Sequence, residues 1–128
     1  MANKREVVEI PGLSHMVPIP MGAKKGNIVF SSAIGGRDPG TGETPEDPDL
    51  QAEMLFRNVR TFMKNAGGTP DDIVHIRVML KAMNYRDSID KEWVKMFPNE
   101  KDRPARRADI VEVRGKNVFF QVEIFAVL

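Results

Sequence analysis

Apolar side chains recur along this chain at two spacings, every second residue in some segments and every third or fourth in others. The clearest alternation lies in residues 73–82, where Val74 begins a run of alternate branched aliphatic residues. That spacing predicts a strand with one buried face. Shorter strands are predicted at residues 5–10 and 28–32, and a less regular one near residues 21–25, each beside a proline or glycine turn.

Helical spacing occupies two segments in the middle of the chain. Between Asp47 and Gly67, apolar residues recur every three or four positions, which predicts an amphipathic helix. Asp47 followed by Pro48 is typical of a helix N-terminus, and Gly67 is typical of a C-terminal cap. Residues 86–97 predict a second helix with Trp93 on its apolar face. The segments rich in glycine, proline and aspartate around these helices are predicted to be loops.

The end of the chain is predicted to form a β-hairpin. Residues 108–114 and 118–128 are strand-like, and a turn at residues 115–117 joins them. The last strand is apolar except for Gln121 and Glu123. The order of elements predicts an α+β fold, in which one mixed sheet carries both helices on one face. The other face of the sheet is then partly apolar, which favours oligomerisation.

Length and composition narrow the class of protein. A chain of 128 residues is long enough for one hydrophobic core, so a single domain over residues 1–128 is expected. The formal charge of +1 gives no net field that would attract nucleic acid or an anionic membrane. There is no cysteine, and the two histidines are far apart, which weakens the case for a metal site. No apolar leader is recognisable, so a cytoplasmic location is expected.

Glu123 and the pair Arg106 and Arg107 are the residues whose positions suggest chemistry. A carboxylate in an apolar strand is costly unless it is paired, hydrogen-bonded or protonated. The favoured interpretation of Glu123 from the strand alone is a wet face or a basic partner. Adjacent strand residues face opposite ways, so only one of the two arginines is expected to enter a given pocket. For either arginine taken alone, a solvated position is favoured.

Several spaced segments together resemble the Rid (YjgF-like) family. They cover residues 20–128 in the order typical of that family, and the combination is far more specific than any single segment. The segments are residues 26–32 (GNIVFSS), 38–43 (DPGTGE), 51–67, 71–74 (DDIV), 104–106 (PAR) and 122–124 (VEI).

The resemblance implies both an architecture and an activity. The implied subunit is a chorismate-mutase-like α+β fold, and three such subunits form a homotrimer with a central barrel and clefts between neighbours. Members of the family hydrolyse reactive enamines and imines derived from amino acids and release ammonia. They use neither a metal nor an organic cofactor. The expected binding partner is a small-molecule carboxylate substrate, and no binding to nucleic acid or to a membrane is expected.

Residue roles follow by position in the family pattern. Arg106 would bind the substrate carboxylate, and Glu123 would hold the attacking water. Backbone groups around Ser32 and Ala33 would contact the bound acid, and the backbone amide of Ala108 would help. The odd separation of Arg106 and Glu123 predicts that both side chains lie on one face of the hairpin.

Departures from the family pattern concern the substrate. Ile19 stands where many members have tyrosine at the pocket rim, Ala33 and Ile34 stand where they have glycine and glutamine, and Asp90 replaces a helix asparagine. A more apolar rim would suit a larger unsaturated substrate such as 2-aminomuconate rather than 2-aminoacrylate. The alternatives are a non-catalytic carboxylate sensor and, less favoured because the net charge is near neutral, an endoribonuclease.

Overall fold

The computed structural model describes residues 4–128, so the first three residues of the predicted domain lie outside the described part. The described residues form an α+β fold of six strands and two α-helices, with one short 3-10 turn before β4 and another before α2. The elements are β1 (Glu6–Val8), β2 (Gly22–Lys25), β3 (Ile28–Ser31), α1 (Pro48–Ala66), β4 (Ile73–Leu80), α2 (Arg86–Met96), β5 (Ala105–Ile110) and β6 (Phe120–Val127). No helix among these residues is both long and apolar enough to cross a membrane.

The ends of α1 are the ones that the sequence predicts. Asp47 Oδ2 accepts a hydrogen bond from the backbone N–H of Leu50 at 3.0 Å, and Pro48 occupies the first turn. Gly67 ends the helix with a φ of +93°, a conformation that a side chain would disfavour. The apolar side of α1 enters a core shared with α2 and with one side of the sheet. Both helices therefore cover the same face, as predicted.

The sheet has the strand order β1-β2-β3-β6-β4-β5, in which only β4 and β5 are parallel. The predicted hairpin of the last two strands is therefore wrong. The strand β5 begins at Ala105 and pairs only with β4, which separates it from β6. Helix α2 supplies the crossover that parallel strands require. The almost continuous apolar sequence of β6 suits a strand with neighbours on both sides rather than an edge.

The connection between β5 and β6 is long and is fixed by α1. The fully buried side chain of Gln51 donates to the backbone oxygen of Asn117 at 2.6 Å and accepts from the N–H of Phe119 at 2.9 Å. The predicted turn at residues 115–117 is present, with positive φ at Gly115 and Asn117, but it leads the chain past the end of β4 rather than back along β5.

The alternation of buried residues in β4 holds over residues 76–78, and Met79 beyond it is buried as well at 8% exposure, but the alternation fails at the start of the strand. The register shifts between Ile73 and His75, which is the signature of a bulge. Ile73 is consequently buried and Val74 is 46% exposed, the reverse of the predicted pattern.

The face of the sheet away from the helices, here called the open face, is apolar at one side and charged at the other. Phe30 and Phe125 stack there with ring centroids 4.5 Å apart, and Phe30 is 57% exposed. Val7 and Ile28 are also exposed. An apolar patch of this kind, unpartnered in a single chain, is typical of an interaction surface.

Candidate active site

Arg106 lies on the edge strand β5, and its side chain extends on the helix side of the sheet. Its Nη2 donates a hydrogen bond to Asp90 Oδ1 at 2.6 Å. Its guanidinium carbon is 5.0 Å from the centroid of the Trp93 ring, within the range of a cation–π interaction. The arginine side chain is 20% exposed and that of Asp90 is 45% exposed. The guanidinium is thus held in place and still accessible.

Local sequence explains how Arg106 is held. Asp90 and Trp93 are three residues apart on α2 and therefore share one side of that helix. The loop before β5 is tied back by Arg103, whose Nε donates to the backbone oxygen of Phe97 at 2.8 Å. The helical pattern predicts only a core position for Trp93, although its three-residue spacing from Asp90 also indicates that the two side chains can contact a common partner.

Glu123 lies on the open face, near the middle of β6, between the buried residues Val122 and Ile124. Its Oε1 is 3.6 Å from Nη1 of Arg77, and its side chain is 43% exposed. The plain interpretation, a wet face with a basic partner, therefore describes its setting in one chain.

Asp109 and Arg107 extend this charge cluster along β5. Asp109 Oδ1 accepts from Arg107 Nε at 3.1 Å, and Asp109 Oδ2 accepts from Arg77 Nε at 3.2 Å. The hydrogen bond from Arg107, helped by that from Arg77, lowers the pKa of Asp109 below its ordinary value. Two arginines and two carboxylates thus balance one another on this part of the open face.

Arg106 and Glu123 do not share a face, contrary to the prediction from their odd separation. Ile76 of β4 lies opposite both Arg106 and Ile124, whereas Arg77 lies opposite Arg107 and Glu123. Paired residues face the same side of a sheet, so Arg106 faces the helices and Glu123 the open side. The parity argument fails because an irregular connection and a third strand separate β5 from β6. The expectation that Arg106 and Arg107 face opposite ways is confirmed.

Ser32 and Ala33 follow β3 directly, and the loop that carries Ile19 is bonded to them. The Oγ of Ser32 donates to the backbone oxygen of Pro20 at 2.9 Å, and the N–H of Ser32 donates to the oxygen of Met21 at 2.8 Å. Ile19 is 46% exposed and Ala33 is half-buried. The predicted rim position of Ile19 is thus on the surface.

Ile34 is not part of that surface, and the expectation of an apolar rim from its side chain is wrong. It is fully buried in the core, and its backbone N–H and oxygen both bond to Val122 at 2.8 and 2.9 Å. One residue farther back, Ser31 Oγ accepts from the N–H of Ile124 at 2.8 Å. These bonds place the segment from Ser31 to Ile34 beside the backbone on either side of Glu123.

The predicted site residues therefore fall into two groups within one chain. The arginine group consists of Asp90, Arg106 and Ala108, where Ala108 is exposed on β5 two residues after Arg106. The glutamate group consists of Glu123 with the neighbouring Ser32 and Ala33. Because β5 is an edge strand, part of its backbone has no partner strand among the described residues and can meet another surface.

Two clefts among residues 4–128 do not join these groups. One cleft of about 730 Å³ is lined by loop residues such as Asp38 and Lys116, and one of about 210 Å³ lies beside Pro104. Arg106 and Glu123 line neither of them. Within residues 4–128, no three histidine or acidic side chains are grouped closely enough to hold a metal ion.

Comparison with known proteins places this chain among others of the same fold. The family model described as Endoribonuclease L-PSP matches residues 18–128. A RutC family protein of Haemophilus influenzae is 34% identical over 104 residues, which are 80% of each chain. The 2-iminobutanoate/2-iminopropanoate deaminase of Escherichia coli K12 is 30% identical over 111 residues, 86% of this chain and 87% of that protein.

A solved structure gives the same result. The crystal structure of Escherichia coli TdcF with bound serine superposes with a TM-score of 0.85 at 28% identity, over 96% of this chain and 98% of that one. The matched span, the shared fold and the 34% identity over 80% of both chains show that this chain belongs to the Rid (YjgF-like) family.

Proposed function

We propose that this protein hydrolyses reactive imines or enamines derived from amino acids and releases ammonia and a keto acid. The observation that carries the proposal is the setting of Arg106, an accessible guanidinium fixed by Asp90 and Trp93 on an edge strand. A planar guanidinium is well suited to a carboxylate. The relative named 2-iminobutanoate/2-iminopropanoate deaminase, at 30% identity over 86% of this chain, supports the reaction type.

The proposed reaction assigns one role to Arg106 and one to Glu123. Arg106 binds the substrate carboxylate, and Glu123 accepts a proton from a water molecule held beside the imine carbon. The water oxygen forms a bond to that carbon, and the proton passes on to the nitrogen. As the C–N bond breaks, the new hydroxyl group becomes the carbonyl, and its proton is passed to the departing ammonia. A protonated imine and one water thereby give one keto acid and one ammonium ion. Because a protonated imine carbon is already electrophilic, orientation and base catalysis suffice, and the proposal includes no metal or organic cofactor.

One chain cannot complete this site, so the proposal includes an assembly. Arg106 and Glu123 lie on opposite faces of the sheet with β4 between their strands. The exposed apolar patch around Phe30 supports burial of the open face against further copies of the chain. We therefore propose a homotrimer with a central barrel, in which the arginine group of one subunit meets the glutamate group of its neighbour.

The substrate is proposed to be larger than 2-aminoacrylate, with 2-aminomuconate as an example. Ile19 supports a larger substrate because its apolar side chain is exposed beside the segment that flanks Glu123. Ile34 gives no such support, because its side chain is buried in the core. Ammonia release from the two compounds, measured side by side, tests the choice. Equal or faster turnover of the smaller compound would contradict the larger substrate while leaving the reaction type intact.

The reaction itself is tested with 2-iminopropanoate, formed in the assay by an amino acid oxidase acting on alanine. We expect ammonia release well above spontaneous hydrolysis, and we expect Arg106→Ala to remove most of the increase. If neither 2-iminopropanoate nor 2-aminomuconate released ammonia faster than by spontaneous hydrolysis, the proposed activity would be contradicted.

RNA cleavage, which the family description names, is less well supported as a function. Arg77 and Arg107 are paired with Asp109 and Glu123, so this charged part of the open face has no excess of positive charge for a phosphate backbone.

A further inference from the structure

The guanidinium of Arg106 shares its site with a carboxylate of the same chain. Asp90 Oδ1 lies 2.6 Å from Nη2 of Arg106, so any carboxylate that binds this arginine comes close to a second negative charge. A site that served only to attract an anion would be weakened by that neighbour. The arrangement needs a ligand that tolerates or uses the carboxylate of Asp90.

The ion pair leaves room for such a ligand. A guanidinium has five N–H donors, and Asp90 occupies a single one of them through one oxygen. Asp90 Oδ2 accepts no hydrogen bond from the residues that the structure describes, and 45% of the aspartate side chain is exposed. The pair therefore presents free donors beside a free acceptor, and the Trp93 ring holds the guanidinium from the side.

We propose that Arg106 and Asp90 together recognise a zwitterion, a carboxylate with a cationic nitrogen on the adjacent carbon. The carboxylate takes N–H donors of Arg106, and the nitrogen donates to Oδ2 of Asp90. This inference rests on the proposed function and assigns Asp90 the role of a specificity residue.

The chemistry of deamination gives that role a consequence. The protonated imine carries a positive nitrogen next to its carboxylate, and hydrolysis removes this nitrogen as ammonium. The keto acid that remains has only the negative group, so Asp90 attracts the substrate and repels the product. An asparagine at this position would make no such distinction, because its amide is neutral. Asp90 thus favours substrate binding and product release together.

Alanine and pyruvate test the inference because they share one carbon skeleton and differ in the charge next to the carboxylate. The dissociation constants of both are measured by calorimetry for the wild type, Asp90→Asn and the control Asp87→Asn. Asp87 is an exposed aspartate on the same helix, so the control makes the same change in net charge. Asp90→Ser serves as a second variant that removes the charge.

We expect the wild type to prefer alanine, and we expect Asp90→Asn to shift the ratio of the two constants about tenfold toward pyruvate. Asp87→Asn should leave the ratio within about twofold of the wild type, since its charge lies outside the pair. An unchanged ratio in both Asp90 variants, an equal shift in the Asp87 control, or no binding of either ligand to the wild type would overturn the inference.

The outcome is separable from that of the proposed function. Ammonia release from imines together with an unchanged ratio would refute the role of Asp90 alone. A shifted ratio without any ammonia release would refute the deaminase activity and leave zwitterion recognition standing.

Discussion

Arg106 and Glu123 lie on opposite faces of one sheet, and β4 runs between their strands. Neighbouring strands are about 4.8 Å apart, so β5 and β6, with β4 between them, are about 10 Å apart across the sheet. This distance separates the two side chains in addition to their opposite directions. A substrate small enough to be an amino-acid imine cannot touch both side chains of one chain. If both act on it, a second chain must supply one of them, and function then depends on assembly.

Glu123→Gln should abolish turnover while leaving ligand binding intact. The amide keeps the size of the side chain but cannot accept the proton of the attacking water, so we expect kcat to fall by about 10² to 10⁴. The ion pair with Arg77 is half-exposed and contributes at most about 1 kcal/mol to folding, so the loss of rate would not reflect unfolding.

Binding of pyruvate to the Glu123→Gln variant, measured by calorimetry, provides the control. A variant that kept the wild-type rate of ammonia release would refute the role of Glu123. If, in addition, Arg106→Ala lost ligand binding, the sensor interpretation would be favoured.

Phe30→Asp should break the assembly. Phe30 is 57% exposed in one chain and stacks on Phe125, so burial of a charge at this position of an interface would be costly. We expect sedimentation velocity to show a monomer for this variant and the proposed trimer for the wild type, and we expect the variant to release no ammonia from imines.

Leu50→Asp is the matched control for Phe30→Asp, because Leu50 is 56% exposed but lies in the first turn of α1. A negative charge is favourable near a helix N-terminus, so this variant should fold and assemble as the wild type does. A trimer formed equally well by both variants would show that the open face is not the contact surface.

Several features of the fold were predictable from the sequence, and the site was less so. The caps at Asp47 and Gly67 depend only on local backbone chemistry, which explains why the bounds of α1 were correct. The strand with which β5 pairs is decided by tertiary packing between distant segments. The local sequence of residues 105–128 therefore does not show that β5 pairs with β4 rather than with β6.

Ile34 and Trp93 illustrate the same limit at single positions. The family resemblance predicts Ile34 at the rim of the substrate pocket, but its backbone pairs with Val122 and its side chain is buried in the core. Trp93 fits the core pattern of α2, yet it also contacts a guanidinium from a strand that the helix precedes. Both outcomes depend on tertiary contacts rather than on local spacing.

Asp49→Asn should loosen the attachment of α2 to α1, with an effect that depends on pH. The hydrogen bond from Lys91, followed by that from Ser88, lowers the pKa of Asp49 below its ordinary value of 3.8. A group whose pKa is lower in the folded state stabilises that state above its unfolded pKa, and this contribution disappears as the pH falls through the folded value.

Urea denaturation at a series of pH values measures the effect of Asp49→Asn. The free energy of unfolding should be lower than in the wild type at pH 7, and the difference should shrink in acid. The exposed Asp87→Asn variant is the reference. A difference that stayed constant or grew as the pH fell would contradict the assignment of the pKa.

The most direct test of the central claim mixes two inactive variants. Arg106→Ala and Glu123→Gln are co-expressed with different tags, and the mixed oligomers are purified through both tags and assayed for ammonia release. If each site takes its arginine from one subunit and its glutamate from the neighbour, every mixed trimer has one complete site of three, so the mixed oligomers recover about a third of the wild-type rate per subunit. If the mixed oligomers remain as inactive as either parent, the two residues do not act across a subunit boundary and the proposed site is wrong.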